Sequence, residues 1–241
     1  MEAVTSLLLM AIHQREGVAI LKKRMLIYAV ASFCLFCAGC GRGSDKIGDA
    51  PRTEKASSTA GWKDVSTSGV NIQLPSDWKI LDLSQQSWEQ GADKVFGNDP
   101  RFAEMRSQAT QMAKQGMVKL LAFEPSTSSV FNTNCNVVVM DLPGTATIEQ
   151  IADSAVQQMA GMVAKGTKAG VEYVNWSGGK MAIVRAEIQP PNPTMPNLVS
   201  LAYVNIKGSK LASVTFTAPS SDEKHIRSIS DQTMSKFGFS N

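Results

Sequence analysis

The sequence is short of the side chains on which most enzymes rely. Its 241 residues include two histidines and four cysteines. Nucleophilic triads and most zinc sites need histidine or clustered cysteine, and His225 stands alone, with Asp222 three residues before it at the spacing of an ordinary helical contact. No catalytic residue, metal site or cofactor is expected on this basis. Charge of one sign is also lacking: 24 Lys and Arg against 21 Asp and Glu leave +3, too little for a nucleic-acid partner, which would cluster basic residues. Gly178-Gly179-Lys180 lacks both the earlier glycine and the following Ser or Thr of a phosphate-binding loop. Asn175-Trp176-Ser177 has the form of a glycosylation sequon, a three-residue pattern that also arises by accident. The carboxylates Glu149, Asp153, Glu172 and Glu187 are scattered, as on a solvated face.

Long apolar runs are scarce too, and the clearest one is informative. Residues 25–39, MLIYAVASFCLFCAG, are uncharged, fifteen in number, and directly preceded by Lys22, Lys23 and Arg24. A membrane-spanning helix needs about 20 apolar residues, so this run reads as the core of an export signal with a processing site at Ala38-Gly39. Residues 35–40, LFCAGC, resemble the bacterial lipobox, with Cys37 where an aliphatic residue is usual. The resemblance implies that Cys40 is lipidated and becomes the new N-terminus, anchoring the protein to a membrane. Gly41 after the cysteine implies, by the sorting rule of enteric lipoproteins, the outer membrane in a host that has one, and the cell membrane otherwise.

Residues 40–60 continue as GRGSDKIGDAPRTEKASSTA after Cys40, with Ile47 the one large apolar side chain. Such a stretch buries nothing. As a flexible tether it would span roughly 25 Å. The expected division is therefore 1–39 leader and N-terminal extension, 40–60 lipidated cysteine and tether, and 61–241 a single domain. Removing the leader takes away four basic and two acidic residues and leaves 20 against 19. Cys34 and Cys37 leave with it. Cys135 then remains as a free thiol in a β-branched run, expected to be buried and inert.

Within the domain, alternation and turn residues predict strands around 62–66, 69–74 and 78–82, then 117–124 and 135–142, then hairpins 171–176 with 180–188 and 198–206 with 210–217. Asp99 and Pro100 open a helix whose Phe102, Met105, Ala109 and Met112 share a face before Gly116. Thr147 and Gln150 have capping-box spacing for a second, with Ile148, Ile151, Ala155, Met159 and Met162 inward until Lys165-Gly166. Pro219, Ser220 and Glu223 open a third, with Ile226, Ile229, Thr233 and Phe237 as its buried stripe. Hairpins interrupted by helices predict an α+β domain, a mainly antiparallel β-sheet with helices packed on its faces.

The strings GVNIQLPSDWKI and NVVVMDLPGTATIEQIADSAV, followed by a late strand pair and a final helix, resemble the PsbP-like fold over about residues 62–238. That fold is an α/β/α sandwich, shared by the photosystem II extrinsic subunit, a Ran-binding nuclear-import factor and many small bacterial lipoproteins. The resemblance implies a binding or scaffolding module rather than an enzyme. An envelope enzyme built on pocket carboxylates and a photosynthetic accessory lipoprotein are the alternatives. Two segments are candidates for contact with a protein partner: the loop 189–196, QPPNPTMP, with Pro190, Pro191, Pro193 and Met195, and the stretch around Trp88 and Phe96.

Residues 1–21 fit a leader poorly, because Glu2 and the apolar stretch from Ala3 to Ile12 stand where a short basic segment belongs. Initiation at Val18 or Leu21 is expected instead. Mass spectrometry of cell extracts should then find no tryptic peptide ending at Arg15; detecting one would move the start upstream.

Overall fold

The computed structural model describes residues 61–83, 114, 116–125, 131–142, 145–176, 178–190 and 194–240. The lipobox, the tether, the expected helix after Asp99, and Trp88 and Phe96 lie outside these residues. The described chain forms β1 (Trp62–Thr67), β2 (Val70–Pro75), β3 (Lys79–Asp82), β4 (Val118–Phe123), β5 (Asn134–Asp141), α1 (Ile148–Met159), β6 (Gly170–Trp176), β7 (Gly179–Ile188), β8 (Leu198–Lys207), β9 (Lys210–Pro219), α2 (Glu223–Ser235) and β10 (Gly238–Phe239). Every strand pairing is antiparallel. The expected fold class holds, but the strands divide into two sheets: β3-β4-β5-β9-β8-β7-β6, and a smaller β1-β2-β10.

Both faces of the large sheet are covered. On one, α1 lays Ile148, Ile151, Ala152, Ala155 and Met159 onto Ala182, Val184 and Ala186 of β7 and Ala202 and Val204 of β8. The alanines let the helix sit close, which close-packed interiors require. Farther along this face the floor turns polar, with Asn134, Thr217 and Ser200 aligned across three strands and all buried. On the other face, α2 and the small sheet share a core in which Tyr203 and Phe216 meet edge to face at 6.1 Å, with Trp78, Ile72, Leu74, Ile226 and Phe237 around them. The β1–β2 turn presses against β5: at Gly69, φ 108°, a Cβ would lie 2.8 Å from Val139 Cγ1. Only glycine accommodates both the left-handed backbone and that approach.

The helix termini show where local signals were overridden. Thr147 and Gln150 form the expected capping box. However, α1 ends at Met159, not at Lys165-Gly166. The chain leaves the helix at Ala160-Gly161, Met162 packs only partly, and Val163 bridges to Ile188 of β7. The Ser220–Glu223 capping box does not form. Glu223 turns toward the sheet and receives two hydrogen bonds from Arg185, Nε to Oε1 and Nη2 to Oε2, each 2.6 Å, while Ser220 begins a 3₁₀ turn without a side-chain cap. The inward positions of α2 are Ile226, Ser230, Thr233 and Met234; Ile229 is only partly buried, and Phe237 enters the core from beyond the helix.

The Arg185–Glu223 pair fastens the start of α2 to β7. Its hydrogen bonds hold the Glu223 carboxyl below the usual glutamate range. A depressed pKa stabilises the fold above the ordinary glutamate range, and that stability is lost as pH falls through the folded-state value. Both side chains are about one-third exposed, so solvent screening keeps the contribution near 1 kcal/mol. Glu223→Gln should therefore destabilise by about that amount at neutral pH in urea melts, and the difference from wild type should vanish once the pH has fallen below the folded-state value.

Candidate binding groove

Among the described residues, α2 lies over β8 and β9 and nothing covers the β6 end of this face of the large sheet. The result is a groove of about 340 Å³ lined by Val174, Trp176, Met181, Ile183, Tyr203 and Met234, with Glu172, Arg227, Asp231 and Ser235 among the polar groups around it. Strand alternation sets its floor: Glu172, Val174 and Trp176 lie on the α2 side of β6, beside Met181 and Ile183 of β7. Trp176 packs on Phe237 at 5.1 Å between ring centroids. Its ring lies over Gly178, where a Cβ would come within 2.5 Å of Trp176 Cζ2. A larger residue at position 178 would push the indole aside.

The rim is held by hydrogen bonds and charge. Arg227 Nη2 donates to Glu172 Oε2 at 2.9 Å, and its Nε lies 3.6 Å from Asp231 Oδ2, one helical turn on. Tyr203, its ring buried, donates from its hydroxyl to Asp231 Oδ1 at 2.8 Å and sits 2.7 Å from Ser230 Oγ. Burial pushes the Tyr203 phenol well above its ordinary value, and hydrogen bonding to the Asp231 carboxylate adds to this. It is therefore a neutral donor at physiological pH. Burial works against the charge on Arg227, but the Glu172 hydrogen bond and nearby negative charge outweigh it and raise its pKa. The side chains of Glu172 and Asp231 are 58% and 56% exposed. Two solvated carboxylates sharing one guanidinium suit recognition of a charged, partly apolar surface.

Apart from Glu172, the residues singled out from sequence fall elsewhere. Pro191, Pro193 and Cys40 lie outside the described residues. Pro190 is buried, and Met195, expected at the loop surface, is 8% exposed and packs with Phe131 and Leu198; its side chain fills a core gap and is not presented to a partner. His225 bonds Glu124 Oε1 at 2.9 Å. Cys135 is fully buried, and desolvation pushes its thiol well up. Of the scattered carboxylates, Glu149 pairs with Lys180, Glu187 accepts from Asn197 at 3.3 Å, and Glu172 alone reaches the groove. Among the described residues no cluster of His, Cys, Asp and Glu has the makings of a metal site, and no helix is long and apolar enough to cross a membrane. Sequence reasoning missed Trp176, Tyr203, Arg227 and Asp231 as a group. The available signal was the Arg227–Asp231 spacing beside the buried stripe of α2.

No family model and no curated protein matches the sequence. Among solved structures, the chain is similar to the cyanobacterial PsbP protein (CyanoP) of Synechocystis sp. PCC 6803, at 12% identity, covering 79% of this chain and 99% of that one, with a TM-score of 0.45. It is similar to LpqN, involved in cell envelope biogenesis of Mycobacterium tuberculosis, at 9% identity, covering 80% and 100%, TM-score 0.46. It is also similar to the Ran-binding protein Mog1p of Saccharomyces cerevisiae, at 9% identity, covering 75% and 96%, TM-score 0.42.

Proposed function

We propose that the protein is a lipid-anchored, extracytoplasmic module that binds a protein partner of a bacterial envelope through the groove between β6 and α2. The groove carries this reading. Trp176 and Arg227, residue types enriched where proteins meet, flank one concavity lined by the buried Tyr203, Met181 and Met234. Anchoring rests on the order of the N-terminal segments: a basic cluster, a fifteen-residue apolar run, Cys40, and a polar tether before the domain. The tether would hold the groove clear of the lipid surface and let it sample a partner at the high local concentration that confinement to a membrane provides. The alternative of carboxylate catalysis is less well supported, because Glu172 and Asp231 are solvated and joined to Arg227, whereas a general acid needs a carboxyl kept protonated by burial.

Two experiments test the reading. Cys40→Ala should abolish incorporation of labelled palmitate and release the protein from membranes; unchanged membrane retention defeats the anchor. A photoreactive residue at Asn175, beside the groove, should give a discrete adduct in cells, whereas one at Lys79 on the opposite sheet edge should not. Ser235→Arg fills the groove from an exposed helix position and should remove that adduct; an adduct insensitive to it, or equal capture at Lys79, defeats the groove.

A further inference from the structure

Among the described residues, β3 and β6 are the two edges of the large sheet, and they are finished differently. β3 is four residues long and bears Lys79 and Asp82 at its ends. β6 is seven residues long, keeps an unbroken register with β7, and has Glu172 as its single charged residue, with no proline and no lysine. An edge strand presents a row of outward N–H and C=O groups, and natural proteins blunt such edges by shortness, charge, proline or a bulge. β3 follows that rule. β6 breaks it, and it breaks it beside the groove. At its centre stands Tyr173, 37% exposed, with the Lys180 ammonium 4.5 Å from its ring centroid and Lys180 in turn paired with Glu149. These contacts hold an aromatic anchor on the opposite side of the edge from the groove.

We infer that the occupant of this site is an extended segment of another protein, which adds to β6 as an eighth strand and brings a cationic side chain to the groove rim; the inference rests on the groove being the binding site. Main-chain hydrogen bonds to a free edge supply the affinity in this mode, and alternate side chains supply the specificity. Side chains on the α2 side of an added strand would recur about every 6.6 Å, passing Glu172, Val174 and Trp176 in turn. Charge fixes the chemistry at the first position. The Glu172 and Asp231 side chains are 58% and 56% exposed, and Arg227 between them is 34% exposed, so the rim shows two open carboxylates against one more sheltered cation. The other two positions offer Val174 and Trp176, backed by Met181 and Met234, and take apolar side chains. A second copy of the chain fits less well. Antiparallel pairing of β6 with itself about Tyr173 sets Glu172 across from Val174 and places a second Glu172 on the same face, with no cation from the strand.

The full chain is tested with capped, fluorescently labelled heptapeptides in which Lys, Val and Leu alternate with threonines, in both sequence orders, and with counterparts carrying Glu for Lys. Binding is read by anisotropy and by residue-resolved hydrogen exchange. The Lys peptide should bind and slow exchange at alternate amides of β6 about tenfold or more. The Glu peptide should bind at least about tenfold more weakly, and Glu172→Lys, at an exposed position, should reverse the preference. Binding without protection of β6 overturns strand addition and leaves the groove as a binding site. Equal affinity for the two peptides overturns the charge assignment. Failure of every peptide to bind, with the in-cell adduct at Asn175 intact, overturns the extended segment and spares the groove. Concentration-dependent protection of β6 without peptide makes the second copy the occupant and overturns the inference.

Discussion

The structure depends on having to bury both faces of a seven-stranded antiparallel sheet. β8 and β9 carry this constraint: eight of ten residues in each are buried, with the exposed ones at the strand ends. An antiparallel sheet with one wet face alternates apolar and polar; these strands do not, so each face needs its own cover. Seven strands at about 4.8 Å spacing put the outer strands about 29 Å apart, whereas a helix is about 10 Å wide. One helix cannot cover a face. On the α2 side the small sheet makes up part of the difference, and what the described residues leave uncovered, at the β6 end, is the groove. The candidate site is thus a consequence of width, a place where covering elements run out.

Once open, that margin has to be made compatible with water. Arg227 and Asp231 lie on the flank of α2 that passes from buried to exposed, and Glu172 answers from the sheet. Tyr203 links the two regimes, with its ring in the core against Phe216 and its hydroxyl among the rim groups. The rim is therefore rooted in the core, and its side chains hold their places before any partner arrives. Pre-ordering of this kind reduces the entropy lost on binding. Trp176 is placed in the same way, by the absence of a side chain at Gly178 and by the ring of Phe237.

Elements with local causes were legible in the sequence. The hairpins β6–β7 and β8–β9 announce themselves through alternation broken at Gly178-Gly179 and Gly208-Ser209, and the Thr147–Gln150 box marks the start of α1 because both partners lie within one turn. Features with distant causes were not legible. Ser220 and Glu223 also have box spacing, yet Glu223 is claimed by Arg185, 38 residues away in sequence. His225 has an acidic neighbour at helical spacing, but the partner it meets from the sheet, Glu124, is 101 residues away. The separation into two sheets leaves no mark on β1 and β2, whose alternation would suit either sheet, and β10 is too short to have a pattern. The groove draws on β6, β7, β8 and α2, so no single window of sequence contains it. Met195 was misjudged for a related reason: its neighbours in the chain are prolines, but its neighbours in space are Phe131 and Leu198.

β10 carries a consequence of its own. It pairs with β2 through Gly238 and Asn71, and Ser240 exchanges hydrogen bonds with Gly69 across 171 residues of sequence. The first hairpin of the domain therefore stays unfinished until residues near 240 have been made. Loop closure over that distance is slow relative to local pairing, and during the wait β2 has an unpaired side. Residues 238–240 are the latch that closes that side, so the last residues of the domain complete its first hairpin.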